Sequence, residues 1–482
     1  MSALQVIILA AGEGTRMKSE MPKVLHPICG RPMIAYAIDL AAALGVKQPI
    51  VVLGERANEI KSHLPKEAKV IIQQKALGTG DAVLATKRAV GSFSGDLLIL
   101  YADTPLLRRT TIQRLVEGHH RANAACTLLT THLADPTGYG RIVRDATGVM
   151  TGVVEEVEAN ALQRAIREIN AGPMCAKAPL LFEALAQVKP GHVGKEWYLT
   201  QAISILAKRD GTKFQTVRIE KVVEALGVNS RLELAKATGM IRQRILEAHL
   251  NNGVTIVDLQ ATYIDHGVTI GQDTVIFPGS VIEPGVSIGK RCSIGPFARL
   301  RAGVTIGDET RIGNFTELVR TKVGNSVRMN HVSYLGDALV DDGANIGAGS
   351  ITANFDGTEK VQTTIGKGAF IGCDTILIAP VSVGARAVTG AGSVIPKGHD
   401  VPAGGLVVGV PARAIERQAQ TDGHRRTMTP PRSSKASKAS TKSPAKRDGV
   451  HPKPRVRIAK ARMTARRPSV KAKKKVAAKR KR

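Results

Sequence analysis

Leu9 to Met17 read LAAGEGTRM and continue, without a break, the apolar run that begins at Val6. Glycines in a loop leaving a buried strand let backbone N–H groups come close to a phosphate or a base. Leu9, Ala10, Ala11, Gly12, Gly14 and Thr15 are therefore candidate nucleotide contacts. Arg16 and Lys23, the latter just after Pro22, bring two cations suited to a triphosphate. The loop matches neither of the common phosphate loops. It has no Gly-Lys-Ser/Thr, and Met17 stands where the dinucleotide fingerprint has its third glycine. Asp103 ends the run LLILYAD. A carboxylate at the carboxyl end of a parallel strand points into the crevice where α/β sheets bind ligands, and a hard oxygen donor suits Mg²⁺ beside a triphosphate. An isolated Asp at such a place is as often a turn cap; its pairing with the glycine loop favours metal.

A second constellation lies in MNHVSYLGD, where His331 has Tyr334 three residues on. Acyl transfer from a thioester to an amine needs a base for the ammonium proton, donors for the oxyanion and, for a phosphorylated acceptor, cations. A solitary His on a repetitive β surface is usually a satisfied surface residue, so this residue needs its context.

The elements that must position these groups change character along the chain. The first 227 residues alternate Val/Ile/Leu runs (QVIILAAG, PIVVLG, DLLILYAD) with amphipathic segments (PMIAYAIDLAAALG, GDAVLATKRAV). That pattern predicts βαβ units on a mostly parallel sheet covered on both faces. RLELAKATGMIRQRILEAHL predicts one connecting helix, with Ser230 as N-cap and Asn251, Asn252 and Gly253 ending it. Apolar residues then recur every six positions, at Ile264, Ile270, Ile276, Ile282, Ile288, Ile294, Leu300, Ile306, Ile312 and Leu318. Six fits neither a helix nor a simple alternating strand, but it suits a three-sided coil with one short strand per face, a parallel β-helix. The register is expected to slip near Val340 to Ile346, to be broken by the loop ITANFDGTEKVQT, and to resume at Ile365, Ile371, Leu377, Val383, Thr389 and Ile395. Loops leaving a solenoid are where sites are placed.

The expected organisation is thus an α/β nucleotide-binding domain over 1–229, a connecting helix over 230–250, a β-helix over 251–417, and a disordered Lys/Arg-rich tail over 418–482. At 482 residues, two cores are the natural expectation. The net charge of +29 looks like that of a nucleic-acid binder until it is divided. Residues 421–482 carry 23 Lys/Arg against two acids, leaving 46 against 38 in the rest, so the folded body is only modestly basic. The tail has no aromatic residues for base stacking, so any hold on nucleic acid or an anionic surface would be electrostatic rather than sequence-specific. A solvated solubility tail is the rival reading. Five scattered cysteines (Cys29, Cys126, Cys175, Cys292, Cys373) show no ligand-like spacing and no even count, which suits a reducing cytoplasm. No stretch has the length of a membrane span, and the first apolar run lacks a basic flank of the signal-peptide kind.

LAAGEGTRM followed by Pro22-Lys23 resembles the entry loop of the sugar-nucleotidyltransferase family. The likeness spans both halves of the chain and extends to its bifunctional members, the N-acetylglucosamine-1-phosphate uridyltransferase/glucosamine-1-phosphate acetyltransferases. By that resemblance Gln73, Gly78 and Thr79 (QQKALGTGDA) contact uracil. Gly140 (DPTGYGRI), Glu155 (TGVVEE), Asn170 (EINAG) and Asn229 (GVNSR) contact N-acetylglucosamine 1-phosphate, and Asn229 is the second Mg²⁺ ligand beside Asp103. In the second half the resemblance implies His331 as general base and Arg301, Tyr334, Asn345 and Lys360 for glucosamine 1-phosphate. Ala348, Asn354, Phe355, Cys373 and Ala391 would bind acetyl-CoA. The resemblance implies a left-handed β-helix, a homotrimer, Mg²⁺, and acetyl-CoA and UTP as co-substrates. The product would be UDP-N-acetylglucosamine for peptidoglycan and lipopolysaccharide precursors.

Several positions depart from the family. Val319, followed by Arg320, stands where a second phosphate-binding lysine is expected. Phe355 replaces a tyrosine, Cys373 a serine, Gly409 an arginine, and Ala102 the glycine before Asp103, while Arg413 offers a substitute cation near the CoA end. The alternative class is a nucleotidyltransferase whose solenoid serves only assembly or regulation; His331, Asn345 and Lys360 together favour the bifunctional enzyme.

Overall fold

The computed structural model describes residues 3–191 and 196–415; the expectation for the basic tail lies outside the described residues. Seven strands build the main sheet of the first half, in the order Phe214–Arg218, Cys126–His132, Glu168–Lys177, Asp96–Tyr101, Leu4–Ala10, Ile50–Leu53, Lys69–Ile72. Neighbours are parallel except for Glu168–Lys177, which runs antiparallel to both of its partners, so the sheet is mixed rather than fully parallel. A hairpin, Arg141–Arg144 with Met150–Val154, hangs from that antiparallel strand. The central strands are continuous Val/Ile/Leu because both of their faces are covered. Ile7, Leu97 and Ile99 belong to one apolar cluster, and Val6, Ile8, Leu98 and Leu100 to the other.

GDAVLATKRAV, read as one helical segment, forms two short helices, Thr79–Leu84 and Lys87–Val90. The connecting helix runs over Arg231–Asn251; the Ser230 hydroxyl caps it by accepting from the Glu233 N–H. Its residues Ala237 and Ile241 pack with Ile28, Met33, Leu106 and Val228, tying the helix to the first half of the chain. Leu246, one to two turns on, belongs to the solenoid core instead. No helix among the described residues is long and apolar enough to cross a membrane.

Beyond Gly253 the short strands stack in three parallel sheets, each strand pairing with the one three strands later: Ile264 with Ile282, Ile270 with Ile288, Ile276 with Ile294. The six-residue column points inward and forms one continuous core from Leu246 to Val407. The corners are tight, and Gly307 shows why they take glycine: a Cβ there would lie 2.7 Å from the Gly324 carbonyl carbon. The register slips at Val340, as the sequence suggests, and also one coil earlier, at Val323. The core steps five residues from Leu318 to Val323 and five again from Leu335 to Val340, at corners where Arg320 and Asp337 take left-handed backbone. The 354–361 segment leaves the coil as the expected loop, closed by an antiparallel bridge between Phe355 and Lys360.

Candidate active sites

Leu9 is level with Tyr101 and Ala10 with Leu53, so the glycine loop leaves the sheet at the carboxyl ends of two parallel neighbours. Gly14 turns the chain with φ 69°, and Thr15–Met17 make a single 3-10 turn. Beneath lies a cleft of about 440 Å³. It is lined by eleven expected residues: Leu9, Ala10, Ala11, Gly12, Gly14, Thr15, Lys23, Gln73, Gly78, Thr79 and Asp103. Arg16 is exposed on the turn beside this lining. Glu13, Ala76, Tyr101 and Glu196 also line the cleft, and sequence reasoning had not assigned them.

Lys23 Nζ donates to Asp103 Oδ2 at 2.6 Å and to Asn229 Oδ1 at 3.0 Å, joining side chains 206 residues apart. Asn229 is held in place through its own N–H, which donates to Glu233, and through the Val228 N–H, which donates to the Asp103 carbonyl. A carboxylate and an amide carbonyl are both hard oxygen donors. The ammonium between them marks a position that accepts a cation, so the pair fits Mg²⁺. Among the described residues no group of three or more His, Cys, Asp or Glu could hold a metal, so the other ligands would be phosphate oxygens and water.

The segment expected to meet uracil, Gln73 to Thr79, is braced from within and from a neighbouring segment. The Gln73 side-chain amide donates to the Gly78 carbonyl and to Asp81 Oδ2, so its N–H groups brace their own loop. Gly78 has φ 116°, and a Cβ there would lie 2.6 Å from the Trp197 carbonyl oxygen. The Thr79 hydroxyl accepts from the Leu199 N–H on the same side.

Three of the four residues expected to meet N-acetylglucosamine 1-phosphate, Gly140, Glu155 and Asn170, converge. The Asn170 N–H donates to the Gly140 carbonyl, and a Cβ on Gly140 would lie 3.5 Å from Glu155 Oε2. Glu155 accepts from the Thr200 hydroxyl at 2.6 Å. Burial pushes the Glu155 carboxyl up, the neighbouring Glu158 and Glu196 carboxylates add to this, and the Thr200 hydrogen bond opposes it. The Tyr101 phenol lines the cleft with Asp103 and is pushed up by burial and by the carboxylates of Glu155 and Asp103. Its position two residues before Asp103 was the available signal.

In the solenoid the register aligns Ile312, Met329, Ile346, Ile371 and Thr389 on successive coils. Two residues further along each coil lie His331, Ala348, Cys373 and Ala391. Corner hydrogen bonds join these coils in turn: Gly349 N–H to Val332, Asp374 N–H to Ala348, Gly392 N–H to Cys373. His331 therefore heads a column made of three of the expected acetyl-CoA residues. Tyr334 lies on the adjacent face, level with Glu317 and Ile351, and Asn345 on the face of Arg328 and Phe370. Gly336 is where Tyr334 and Asn354 meet: a Cβ there would be 2.6 Å from both Tyr334 Oη and Asn354 Nδ2.

The cations behave unequally. Arg301 is exposed and lies 3.4 Å from Glu317. Lys360 stands on the protruding loop beside exposed Phe355, near enough to help hold the Asp337 carboxyl down. Val319 is buried, level with Gly336. Arg320 is committed to Asp337 in a bidentate pair. Gly409 has φ 95°, in a strand whose neighbour Val408 pairs with Arg413.

Residues 6–191 match the family described as MobA-like NTP transferase domain. Residues 267–302 and 288–320 match the bacterial transferase hexapeptide (six repeats), and 362–397 the hexapeptide repeat of succinyl-transferase. The bifunctional protein GlmU of Listeria monocytogenes serotype 4a (strain HCC23) is 40% identical over 435 residues, 83% of this chain and 94% of that protein. The bifunctional protein GlmU of Geobacillus thermodenitrificans (strain NG80-2) is 40% identical over 449 residues, 86% of this chain and 97% of that protein. A solved UDP-glucose pyrophosphorylase complexed with UDP-glucose overlays 51% of this chain and 100% of its own, with a TM-score of 0.41 at 19% identity.

Proposed function

Because this chain belongs to the family of bifunctional GlmU proteins, we propose that it makes UDP-N-acetylglucosamine in two transfers, one in each half of the fold. The observation that carries the reading is the joining of Asp103, Lys23 and Asn229 in the cleft below the glycine loop.

In the first half, a phosphate oxygen of N-acetylglucosamine 1-phosphate attacks the α-phosphorus of UTP. A P–O bond forms, the bond to the β-phosphate breaks, and pyrophosphate leaves. The nucleophile is already anionic, so no general base is required. Backbone N–H groups from Leu9 to Thr15 cradle the nucleotide, and Arg16 and Lys23 neutralise its phosphates. Gly140, Glu155 and Asn170 orient the sugar. Mg²⁺, held by Asp103 and Asn229, would supply further charge neutralisation on the phosphate oxygens.

In the second half, the amine of glucosamine 1-phosphate attacks the thioester carbonyl of acetyl-CoA, His331 takes the ammonium proton, and the CoA thiolate leaves. The column of Ala348, Cys373 and Ala391 below His331 binds the CoA chain along successive coils, and Arg301 and Lys360 supply cations for the sugar phosphate. Phe297 and Phe315 stack 5.3 Å apart on exposed corners and give a second copy of the chain an apolar surface to cover, in keeping with a homotrimer. Both transfers take place in the cytoplasm, in keeping with five cysteines that are all unpaired. The basic tail, by its charge, holds polyanions through counterion release.

The test supplies glucosamine 1-phosphate, acetyl-CoA, UTP and Mg²⁺ and follows free thiol and pyrophosphate separately. His331→Ala should abolish thiol release from glucosamine 1-phosphate while keeping pyrophosphate release from added N-acetylglucosamine 1-phosphate; Asp103→Ala should do the reverse. Thiol release surviving in His331→Ala would overturn the base assignment. Removing residues 421–482 should erase salt-dependent nucleic-acid retention and leave turnover intact.

A further inference from the structure

Lys23 occupies an unusual place for a residue that must also meet a triphosphate. Its ammonium lies between the two oxygens that fit a divalent cation, 2.6 Å from Asp103 Oδ2 and 3.0 Å from Asn229 Oδ1. The pair is largely desolvated, with the Lys23 side chain 10% and that of Asp103 23% exposed. The stem has little room to shift towards the glycine loop, because the loop backbone packs on it: a Cβ added to Gly14 would fall 2.6 Å from Lys23 Cβ.

We propose that Lys23 is a resident counterion that competes with the divalent cation for Asp103 and Asn229, so that cation and nucleotide bind cooperatively. The inference rests on reading this cleft as a site for a nucleoside triphosphate. A divalent ion coordinating both oxygens at the distances Mg²⁺ requires, about 2.0–2.1 Å, would share the volume that the ammonium fills. Two positive ions cannot share it in a partly desolvated cleft, because their repulsion is only weakly screened there. A free cation arriving alone must therefore evict the ammonium from a charge-assisted pair and leave it with no new partner. A triphosphate changes that balance. Lys23 and the glycine loop line the same cleft, so phosphate oxygens arriving there give the displaced ammonium a partner as the cation takes its former ones. By linkage the effect is reciprocal: the nucleotide raises cation affinity by the same factor as the cation raises nucleotide affinity. Lys23 is in this view a positioning residue for the cation, through its hold on Asp103 and Asn229, as well as a phosphate contact.

The full chain, without sugar phosphate, can be titrated with Mn²⁺ as the probe and free Mn²⁺ read by electron paramagnetic resonance, with and without UTP. Nucleotide binding can be followed in parallel by the fluorescence of Trp197, the chain's one tryptophan, whose backbone packs on Gly78. Lys23→Met keeps the length of the stem and removes the charge; Lys23→Gln is the second variant, and circular dichroism checks that each is folded. Both variants should bind Mn²⁺ without nucleotide about tenfold more tightly than the unaltered chain, and the enhancement that UTP gives should shrink by about the same factor. Equal or weaker Mn²⁺ binding in the variants would overturn the proposal while leaving the nucleotide reading intact. If the unaltered chain binds no UTP even with Mn²⁺, both fall together.

Discussion

Arg320 and Asp337 grip each other at the two corners where the solenoid loses a residue: Arg320 Nε lies 2.6 Å from Asp337 Oδ1 and Nη2 lies 2.7 Å from Oδ2. Both take left-handed backbone, with φ 47° and 49°, and the Asp337 N–H donates to the carbonyl of Val319. Neither is glycine, so the strain is held by what surrounds it. Asp337 Oδ2 also accepts from the buried Asn354 amide, which couples the corner to the start of the protruding loop.

Asp337→Ala should thus disturb the second site specifically. It leaves the Asn354 amide without its acceptor and should cost about 1 kcal/mol, most of it from the buried amide, because the Arg320 end is solvent-screened. Thiol release should fall roughly tenfold through a displaced loop, with pyrophosphate release unchanged. The guanidinium of Arg320 holds the Asp337 carboxyl below the usual range, so the pair's contribution is complete above the ordinary carboxylate pKa and fades as pH falls through the lowered one. Acid unfolding of the variant should begin at higher pH than that of the unaltered chain.

Val319→Lys tests whether the second half lacks a cation. Arg320 is neutralised by Asp337 and offers no free charge for a sugar phosphate. A lysine at 319 should lower KM for glucosamine 1-phosphate by about tenfold, the effect of one charge-assisted hydrogen bond to phosphate. An unchanged KM, measured by thiol release, would mean that Arg301 and Lys360 suffice.

Gly14→Ala should damage the first site alone. The backbone at φ 69° costs a Cβ-bearing residue roughly 1–2 kcal/mol, and the added methyl would push on Lys23 Cβ from 2.6 Å. Pyrophosphate release should fall sharply in a chain that keeps its thiol release and most of its thermal stability.

Glu155→Gln should stabilise the protein while weakening sugar binding. Burial raises the folded carboxyl above its unfolded value, so between those two values the folded state binds more protons and stability falls as pH rises. The glutamine removes that loss: its melting temperature should exceed that of the unaltered chain at pH 7 and converge on it in acid, while KM for N-acetylglucosamine 1-phosphate rises.

Much of this was legible in the sequence. The glycine loop, Asp103 and the six-residue column are local patterns, and each sits where its pattern requires. The second five-residue step, to Val340, falls where the sequence puts it; the first, to Val323, is hidden because Val323, Met329 and Leu335 are as apolar as a six-residue column demands, and the left-handed backbone at Arg320 marks it. For Gln73, which the resemblance sets against uracil, the tertiary structure adds that its amide N–H groups hold Gly78 and Asp81, a contact five and eight residues on that the spacing does not announce. Tyr101 carries one signal, its place two residues before Asp103, whereas nothing in the spacing around Glu196 says which way it faces.

By itself the sequence determined two architectures and the change between them, because periodicity is a property of consecutive residues and needs no partner to be read. It determined the charge of the tail as well. Tertiary structure alone decided that Lys23 would lie between Asp103 and Asn229, that Tyr101 would line one cleft with Asp103, and that Arg320 would spend its charge on Asp337. The first and last of these are distances between side chains far apart in the chain, or one coil apart across a corner. Such distances are set by how sheets and coils stack, which no local spacing encodes.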